Sequence, residues 1–246
     1  MRYGIISDIH SNLEALNAVL DRIGQVDAYI CLGDIVGYGA NPNECCDIIR
    51  GLAADSVIGN HDAAALGTLD VSWFNRHARY AVARTSELLS DESRSYLAGM
   101  SFTSQTDKYV LAHGSLDNPP DFRYIDDPWM AQPSFKLMPR DMSACFVGHT
   151  HLAEQYVQQW GVRGADRISM SAGGRIQLRE GFRYIINCGS VGQPRDGNPA
   201  AACGVFDTDA GTVEILRVDY DIAAAQKKIR DAGFPLALAD RLALGF

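Results

Sequence analysis

Residues 3–24 read YGIISDIHSNLEALNAVLDRIG, and this stretch sets the fold class. The apolar run YGIIS is typical of a short buried strand, and it leads directly into the polar residues Asp8 and His10. The segment that follows has leucine, valine and isoleucine at helical spacing, and Ser11 with Glu14 predicts a capping box at its start. A strand followed at once by an amphipathic helix predicts a βα unit, and therefore an α/β protein.

The same alternation continues outward along the chain. AYICL and SVI predict two more strands, and NPNECCDIIRGL predicts a second helix with Asn41 as its N-cap. We predict mainly helix over residues 63–100, with WFNRHARYAVARTSELL as the clearest part, and a long loop with one short helix over 115–140. After residue 144 closely spaced strands favour antiparallel pairing. We therefore expect a single domain over residues 1–246 with two sheets.

Composition and charge narrow the class of ligand. The chain has 246 residues and a net charge of −8, and no cluster of Lys and Arg suits a polyanion such as duplex DNA. No apolar run approaches the roughly 20 residues of a membrane helix. The six cysteines include no C-x-x-C pair, so we expect them to be reduced. These features predict a cytoplasmic protein that binds neither large nucleic acids nor membranes, and they are compatible with a small phosphorylated substrate.

Polar residues stand at the ends of five consecutive predicted strands, in SDIH, GDIVGYG, GNHD, AHG and VGHTH. These ends contain five of the six histidines, and the exception is His77, within a predicted helix. Because the carboxyl ends of strands in an α/β sheet meet in one crevice, we predict a shared site. The candidate metal ligands are Asp8, His10, Asp34, Asn60, His113, His149 and His151.

The chemistry of this ligand set predicts the metals. Carboxylate, imidazole and amide ligands without a thiolate suit Mn²⁺, Fe or Zn²⁺, and Mn²⁺ is our first choice. Seven ligands exceed what one catalytic ion requires, so we expect two divalent transition-metal ions with Asp34 as the bridging carboxylate. His149 and His151 are separated by one residue in FVGHTH. We expect that segment to be extended and to turn the two side chains toward different ions, with Thr150 turned away.

Together these blocks resemble the calcineurin-like metallophosphoesterases. The motifs are D-x-H at 8–10, G-D at 33–34, G-N-H-D at 59–62, H at 113 and G-H-x-H at 148–151, in the order of that family. NCGSVGQPRDG at 187–197 resembles its small bacterial and archaeal branch, a Yfc-type phosphodiesterase-like group. We accordingly expect a four-layer α/β/β/α sandwich with two mixed sheets. The resemblance implies that Asp8, His10, Asp34 and His151 hold one ion, and that Asp34, Asn60, His113 and His149 hold the other.

The resemblance also implies roles for residues outside the ligand set. A protonated His61 would face the substrate phosphate, and Asp62 would accept the other ring proton and fix the tautomer. A metal-bridging hydroxide would hydrolyse phosphomonoester or phosphodiester bonds of a small substrate such as a nucleotide. Arg195 is a candidate phosphate ligand or an exposed loop residue, Ser190 a substrate ligand or a turn former, and Tyr38 a residue that lines the site.

The sequence differs from the protein Ser/Thr phosphatases of this family at two places. GYG at 37–39 stands where the protein Ser/Thr phosphatases carry Asp-Arg-Gly, and Asp62 stands where they carry Glu, so protein phosphatase activity is in doubt.

Phe122, Tyr124 and Trp129 in the long loop could stack a nucleobase or pack in the core. The alternatives to a small-molecule phosphoesterase are a non-catalytic interaction scaffold on the same fold and a nuclease.

Overall fold

The computed structural model describes residues 1–246, and it contains every predicted strand and one more, β4. The strands are β1 Arg2–Ile6, β2 Ala28–Cys31, β3 Asp55–Ser56, β4 Thr103–Gln105, β5 Val110–Ala112, β6 Ala144–Val147, β7 Ala153–Gln159, β8 Asp166–Ser169, β9 Gly174–Gln177, β10 Phe182–Cys188, β11 Ala201–Asp207 and β12 Thr212–Val218. The helices are α1 Leu13–Ile23, α2 Pro42–Gly51, α3 Asn60–Ala65, α4 Arg76–Leu88, α5 Asp91–Ala98, α6 Pro128–Leu137, α7 Ile222–Asp231 and α8 Leu236–Asp240, with 3₁₀ turns at Pro119–Asp121 and Arg241–Ala243. None of the helices combines the length and apolar character needed to cross a bilayer.

The strands form two six-stranded mixed sheets. The first has the order β3-β2-β1-β11-β12-β9, in which β1, β2 and β3 are parallel and the other three strands pair antiparallel. The second has the order β4-β5-β6-β10-β7-β8, with β5, β6 and β10 parallel. Antiparallel pairing predominates after residue 144, as predicted, although β6 and β10 pair in parallel.

The distribution of buried residues shows four layers. Ile5 and Phe146 come from different sheets and share one buried cluster, which therefore lies between the sheets. Their neighbours Ile6 and Cys145 point the opposite way, because side chains alternate along a strand. Ile6 packs in a cluster with residues of α1 and α2, and Cys145 packs in another with Phe135 of α6. The predicted α/β/β/α sandwich is confirmed.

Two helix starts differ from the prediction. Asn12, not Ser11, caps α1, because its Oδ1 accepts a hydrogen bond from the N–H of Ala15 at 3.1 Å, while Ser11 has a left-handed φ of 55°. Helix α4 begins at Arg76 rather than at Trp73, because the Asn75 side chain caps it. The residues between α3 and α4 form turns and a bend instead of the predicted helix.

Candidate metal centre

The seven predicted ligands lie together where β1, β2, β5 and β6 end and where α3 begins, and none is more than 3% exposed. The possible ligand atoms form two groups, each with all atoms within 4.8 Å of one another: Asp8, His10, Asp34 and His151, and Asp34, His113 and His149. Asp34 belongs to both groups. The remaining predicted ligand, Asn60, adjoins the second group through its Oδ1, 3.2 Å from Nε2 of His113.

Three of the imidazoles are oriented by backbone carbonyls. Nδ1 of His10, His113 and His151 lies 3.1, 2.6 and 2.5 Å from the carbonyl oxygens of Val36, Leu32 and Gln193, respectively. A proton on each Nδ1 satisfies these carbonyls and leaves the lone pair of each Nε2 facing the cluster.

The inward-facing nitrogens lack partners that could satisfy them. Nε2 of His10 and Nε2 of His151 lie 3.0 Å apart, although two lone pairs cannot hydrogen-bond to each other. Nε2 of His149 is buried and has no hydrogen-bond partner. Since buried polar atoms are normally paired, this arrangement fits residues that share cations.

The two carboxylates are held by neighbouring main chain. Both oxygens of Asp8 lie 3.1 Å from the N–H of His149, and Oδ1 of Asp34 accepts from the N–H of His61 at 2.7 Å. Burial raises the pKa of each carboxyl, but whenever the rings carry a second proton, the imidazolium of His151 beside Asp8 and that of His113 beside Asp34 outweigh burial and lower both pKa values. The carboxylates therefore remain ionised at neutral pH.

Most of the predicted ligands have a left-handed backbone conformation. Asp8, His10, Asp34, His149 and His151 all have φ between 48° and 70°. The predicted extended conformation therefore ends with β6 and is wrong at His149 and His151, which in an extended strand would have shared a face. The two left-handed residues instead direct the His149 ring toward His113, at 4.9 Å, and the His151 ring toward His10, at 4.8 Å. The two side chains thus reach different ligand groups, although not through an extended chain.

Two glycines allow the carboxylates to approach the backbone. A Cβ at Gly59 would lie 2.1 Å from Oδ1 of Asp34, and one at Gly148 would lie 2.7 Å from Oδ2 of Asp8. Both distances are shorter than any non-bonded carbon–oxygen distance found in proteins. The glycine that precedes Asn60 and the glycine that precedes His149 are therefore steric requirements of the site.

His61 and Asp62 do not form the predicted pair. The Asp62 carboxylate accepts from the N–H groups of Val36 and Gly59, both at 3.0 Å, and Nδ1 of His61 is buried without a partner. Asp62 therefore joins the loop after β2 to the first turn of α3, and the prediction that it fixes the His61 tautomer is wrong. Burial lowers the pKa of His61 to about 4, so the ring is neutral at pH 7 rather than protonated.

Of the three predicted substrate ligands, two face the site. Tyr38 packs against the rings of His10 and His61, with ring centroids at 4.7 and 4.3 Å. Arg195 is partly exposed and forms no ion pair, and its charge adds to burial in lowering the pKa of His151. Ser190 is fully buried, donates to the Asp8 carbonyl and accepts from the Gln193 N–H, both at 2.8 Å. Its predicted contact with substrate is wrong, because the hydroxyl shapes the turn.

The aromatic residues of the long loop differ in position. Tyr124 stacks on His149 at 3.9 Å and lies at the centre, whereas Phe122 is buried. Trp129 is 80% exposed on α6 and lines a different groove. Trp73 and Phe74 line a cavity beside His61, and no sequence pattern indicated this role because both residues fall within a predicted helix. His77 is exposed, as expected for a solvated residue.

Comparisons with known proteins agree with this geometry. Residues 1–211 match the calcineurin-like phosphoesterase superfamily domain. The uncharacterized protein MJ0912 of Methanocaldococcus jannaschii is 38% identical over 247 residues, covering 98% of this chain and 97% of that protein. The crystal structure of a metallophosphoesterase from Sphaerobacter thermophilus is similar with a TM-score of 0.88 at 40% identity, covering 100% of this chain and 99% of the other. The hypothetical protein PH1004 from Pyrococcus horikoshii OT3 has the same fold, with a TM-score of 0.78 at 20% identity over 100% and 98% of the two chains. The family predicted from the motifs is therefore confirmed: the chain belongs to the calcineurin-like phosphoesterase superfamily.

Proposed function

We propose that the protein is a dinuclear metal-dependent phosphoesterase that hydrolyses a phosphomonoester or phosphodiester bond of a small substrate such as a nucleotide. The observation that carries this proposal is the pair of buried ligand groups that share Asp34. Membership of the phosphoesterase superfamily supports the reaction class. The net charge of −8 supports a small substrate over a long nucleic acid.

The residues present fit two divalent ions. Asp8, His10, Asp34 and His151 would hold the first, and Asp34, Asn60, His113 and His149 would hold the second. The close contact between Nε2 of His10 and Nε2 of His151, and the unpaired Nε2 of His149, are what a cation would resolve. When bound, such ions supply Lewis-acid activation of water and of a phosphoryl oxygen. Mn²⁺ is the first ion to test, with Fe and Zn²⁺ as alternatives.

The protein's own side chains would bind and orient the phosphoryl group. His61 lies against the first ligand group, with its ring 5.0 Å from that of His10, and it also lines the adjacent cavity. From there its neutral ring can donate a hydrogen bond from an N–H group to a phosphoryl oxygen or to the leaving oxygen. Arg195 has no carboxylate partner, and one guanidinium nitrogen donates to Oε1 of Gln193 at 3.0 Å, so its remaining N–H groups could bind phosphate. Asp62 acts indirectly, by holding the turn that carries Asn60 and His61.

The test is hydrolysis of a substrate panel by the Mn²⁺-loaded protein. p-Nitrophenyl phosphate, bis-p-nitrophenyl phosphate and dinucleoside polyphosphates separate monoesters, diesters and nucleotides. We expect turnover of at least one class, and a loss of about 10²–10³-fold in His61→Ala with the metal content unchanged. No turnover above the His61→Ala background on any substrate would contradict the proposal.

The two alternatives give different results in the same preparation. An interaction scaffold would bind no transition metal even after supplementation, as measured by elemental analysis. A nuclease would bind and cleave single-stranded DNA with a strong dependence on salt. We expect neither result, because every predicted ligand is present and the chain is acidic.

A further inference from the structure

A cavity of ≈ 280 Å³ opens directly beside the metal centre. Asn60 and His61 form part of its wall, and four aromatic residues, Tyr38, Trp73, Phe74 and Tyr124, form most of the rest. No residue that lines it is charged. Sites for drug-sized ligands usually occupy about 300–1,000 Å³, so this cavity suits a single ring system rather than a whole large ligand.

The aromatic rings form a continuous row from solvent to the metal centre. Trp73 contacts Phe74 at 4.5 Å between ring centroids, Phe74 contacts His61 at 5.1 Å, and His61 contacts Tyr38 at 4.3 Å. The inner members are buried, with Phe74 and Tyr38 each 6% exposed. A substituent on a phosphoryl group at the metal centre would therefore meet an aromatic wall.

The outer members of the wall are open to a ligand. Trp73 is 53% exposed and Tyr124 is 44% exposed, although both lie at the edge of a deeply buried site. Tyr124 is also fixed in orientation, because its ring stacks on His149 with an interplanar angle of 13°. Large exposed aromatic surface beside a polar site is typical of a surface that binds a ligand.

We propose that this cavity is the subsite for a planar aromatic ester group of the substrate, such as a nucleobase or an aryl ring, and that Trp73 is its main specificity-determining residue. The proposal rests on the proposed function, since it requires the phosphoryl group to lie beside Asn60 and His61. The absence of charged lining residues disfavours a second phosphate in this cavity.

Binding of non-hydrolysable phosphonates tests the subsite independently of turnover. Isothermal calorimetry on the Mn²⁺-loaded protein would compare phenylphosphonate, cyclohexylphosphonate and methylphosphonate. Stacking of one base on an aromatic side chain is typically worth about fivefold or more in affinity, so we expect phenylphosphonate to bind at least that much more tightly than methylphosphonate. Cyclohexylphosphonate should bind more weakly than phenylphosphonate, because its ring is not planar.

Substitutions of two exposed tryptophans provide the matched comparison. Trp73→Ala should weaken phenylphosphonate binding by about fivefold or more while changing methylphosphonate binding by less than about twofold. Trp73→Phe should retain most of the preference and guards against a general effect on folding. Trp129→Ala removes an equally large aromatic side chain from a distant groove and should leave all three affinities unchanged.

Four results would overturn the subsite: no preference for phenylphosphonate over methylphosphonate, equal binding of the phenyl and cyclohexyl compounds, equal effects of Trp73→Ala and Trp129→Ala, or no phosphonate binding at all. Ester hydrolysis measured on the same preparations separates the two proposals. Turnover without a phenyl preference rejects the subsite and retains the phosphoesterase. A phenyl preference lost in Trp73→Ala, without turnover of any ester, rejects the phosphoesterase and retains the subsite.

Discussion

The role of Asp62 gives the most direct test of the site architecture. Its carboxylate is fully buried and accepts two backbone hydrogen bonds, from Val36 and Gly59, both at 3.0 Å. Each buried N–H left without an acceptor costs about 1–3 kcal/mol, so Asp62→Ala should remove about 2–6 kcal/mol from the free energy of unfolding. Burial of the carboxylate, which also raises the pKa of Asp62 to about 7, offsets part of that loss. We therefore expect a value in the lower half of the range.

Urea unfolding of the metal-free protein measures this loss as a shift in midpoint at unchanged slope. Asp47→Ala is the matched control, because Asp47 is 57% exposed and its 2.7 Å ion pair with Arg50 lies on a helix surface. Such a pair contributes about 0.3–0.5 kcal/mol, so the control should remain close to the parent protein. If Asp62→Ala destabilises the protein no more than Asp47→Ala does, the two backbone hydrogen bonds do not have the role that we assign to them.

Asp62→Asn separates this role from the one predicted by the sequence. The amide keeps one acceptor oxygen but turns an NH₂ group toward a backbone N–H, so about half of the stability loss should remain, roughly 1–3 kcal/mol. Turnover in Asp62→Asn should fall only to the extent that Asn60 and His61 are displaced from their positions. A variant with parental stability and abolished turnover would instead indicate that Asp62 acts directly on His61, contrary to the geometry.

Substitutions of four further residues probe the ligands and the phosphate contact. His149→Ala and His151→Ala should each reduce the metal content, measured by elemental analysis, from two ions per chain to one, and competition with a chelator should show that different ions remain. Gly148→Ala should lose metal and thermal stability, because its Cβ would lie 2.1 Å from a serine hydroxyl, whereas Gly51→Ala, with nothing within 4 Å, should lose neither. Arg195→Ala should raise KM about tenfold with a smaller change in kcat, and Arg195→Lys should restore only part of the affinity, because Lys cannot make the bidentate contact.

The parts of the structure that follow from local sequence pattern were predictable. The strands were found from apolar runs between turn residues, and the ligands from the polar residues that end them. Helix starts were less predictable, because the choice between Ser11 and Asn12 as N-cap depends on a left-handed backbone at Ser11. The position of Trp73 was missed for the same kind of reason, since Asn75 caps the helix that follows and leaves Trp73 in a turn.

The roles of individual polar side chains depended on contacts across long sequence separations. Ser190 bonds to the carbonyl of Asp8, which is 182 residues away, and Asp62 bonds to Val36, which is 26 residues away. No pattern near either residue reveals such a partner. The family motifs include both positions, but they could not distinguish a side chain that meets substrate from one that holds the backbone.

The two histidine motifs share a backbone conformation that explains their spacing. In D-x-H and in H-x-H the outer residues, Asp8 with His10 and His149 with His151, are left-handed, whereas the residue between them is not. The middle residue is directed into the protein in both motifs. Ile9 is fully buried in the core cluster beneath β1, and the hydroxyl of Thr150 accepts from the side-chain amide of Asn187. A spacing of one residue therefore directs two ligands to the centre while the residue between them anchors the loop.

This conformation carries strain that the surrounding backbone must oppose. A non-glycine residue in a sparsely populated backbone region costs on the order of 1–3 kcal/mol, and five proposed ligands are in the left-handed region. The loops after β1 and β2 oppose it by bonding to each other, from the N–H of Asp8 to the carbonyl of Gly33 and from the N–H of His10 to the carbonyl of Asp34, both at 3.0 Å. Main-chain hydrogen bonds thus help to hold Asp8, His10 and Asp34 in the left-handed conformation that directs their side chains to the centre.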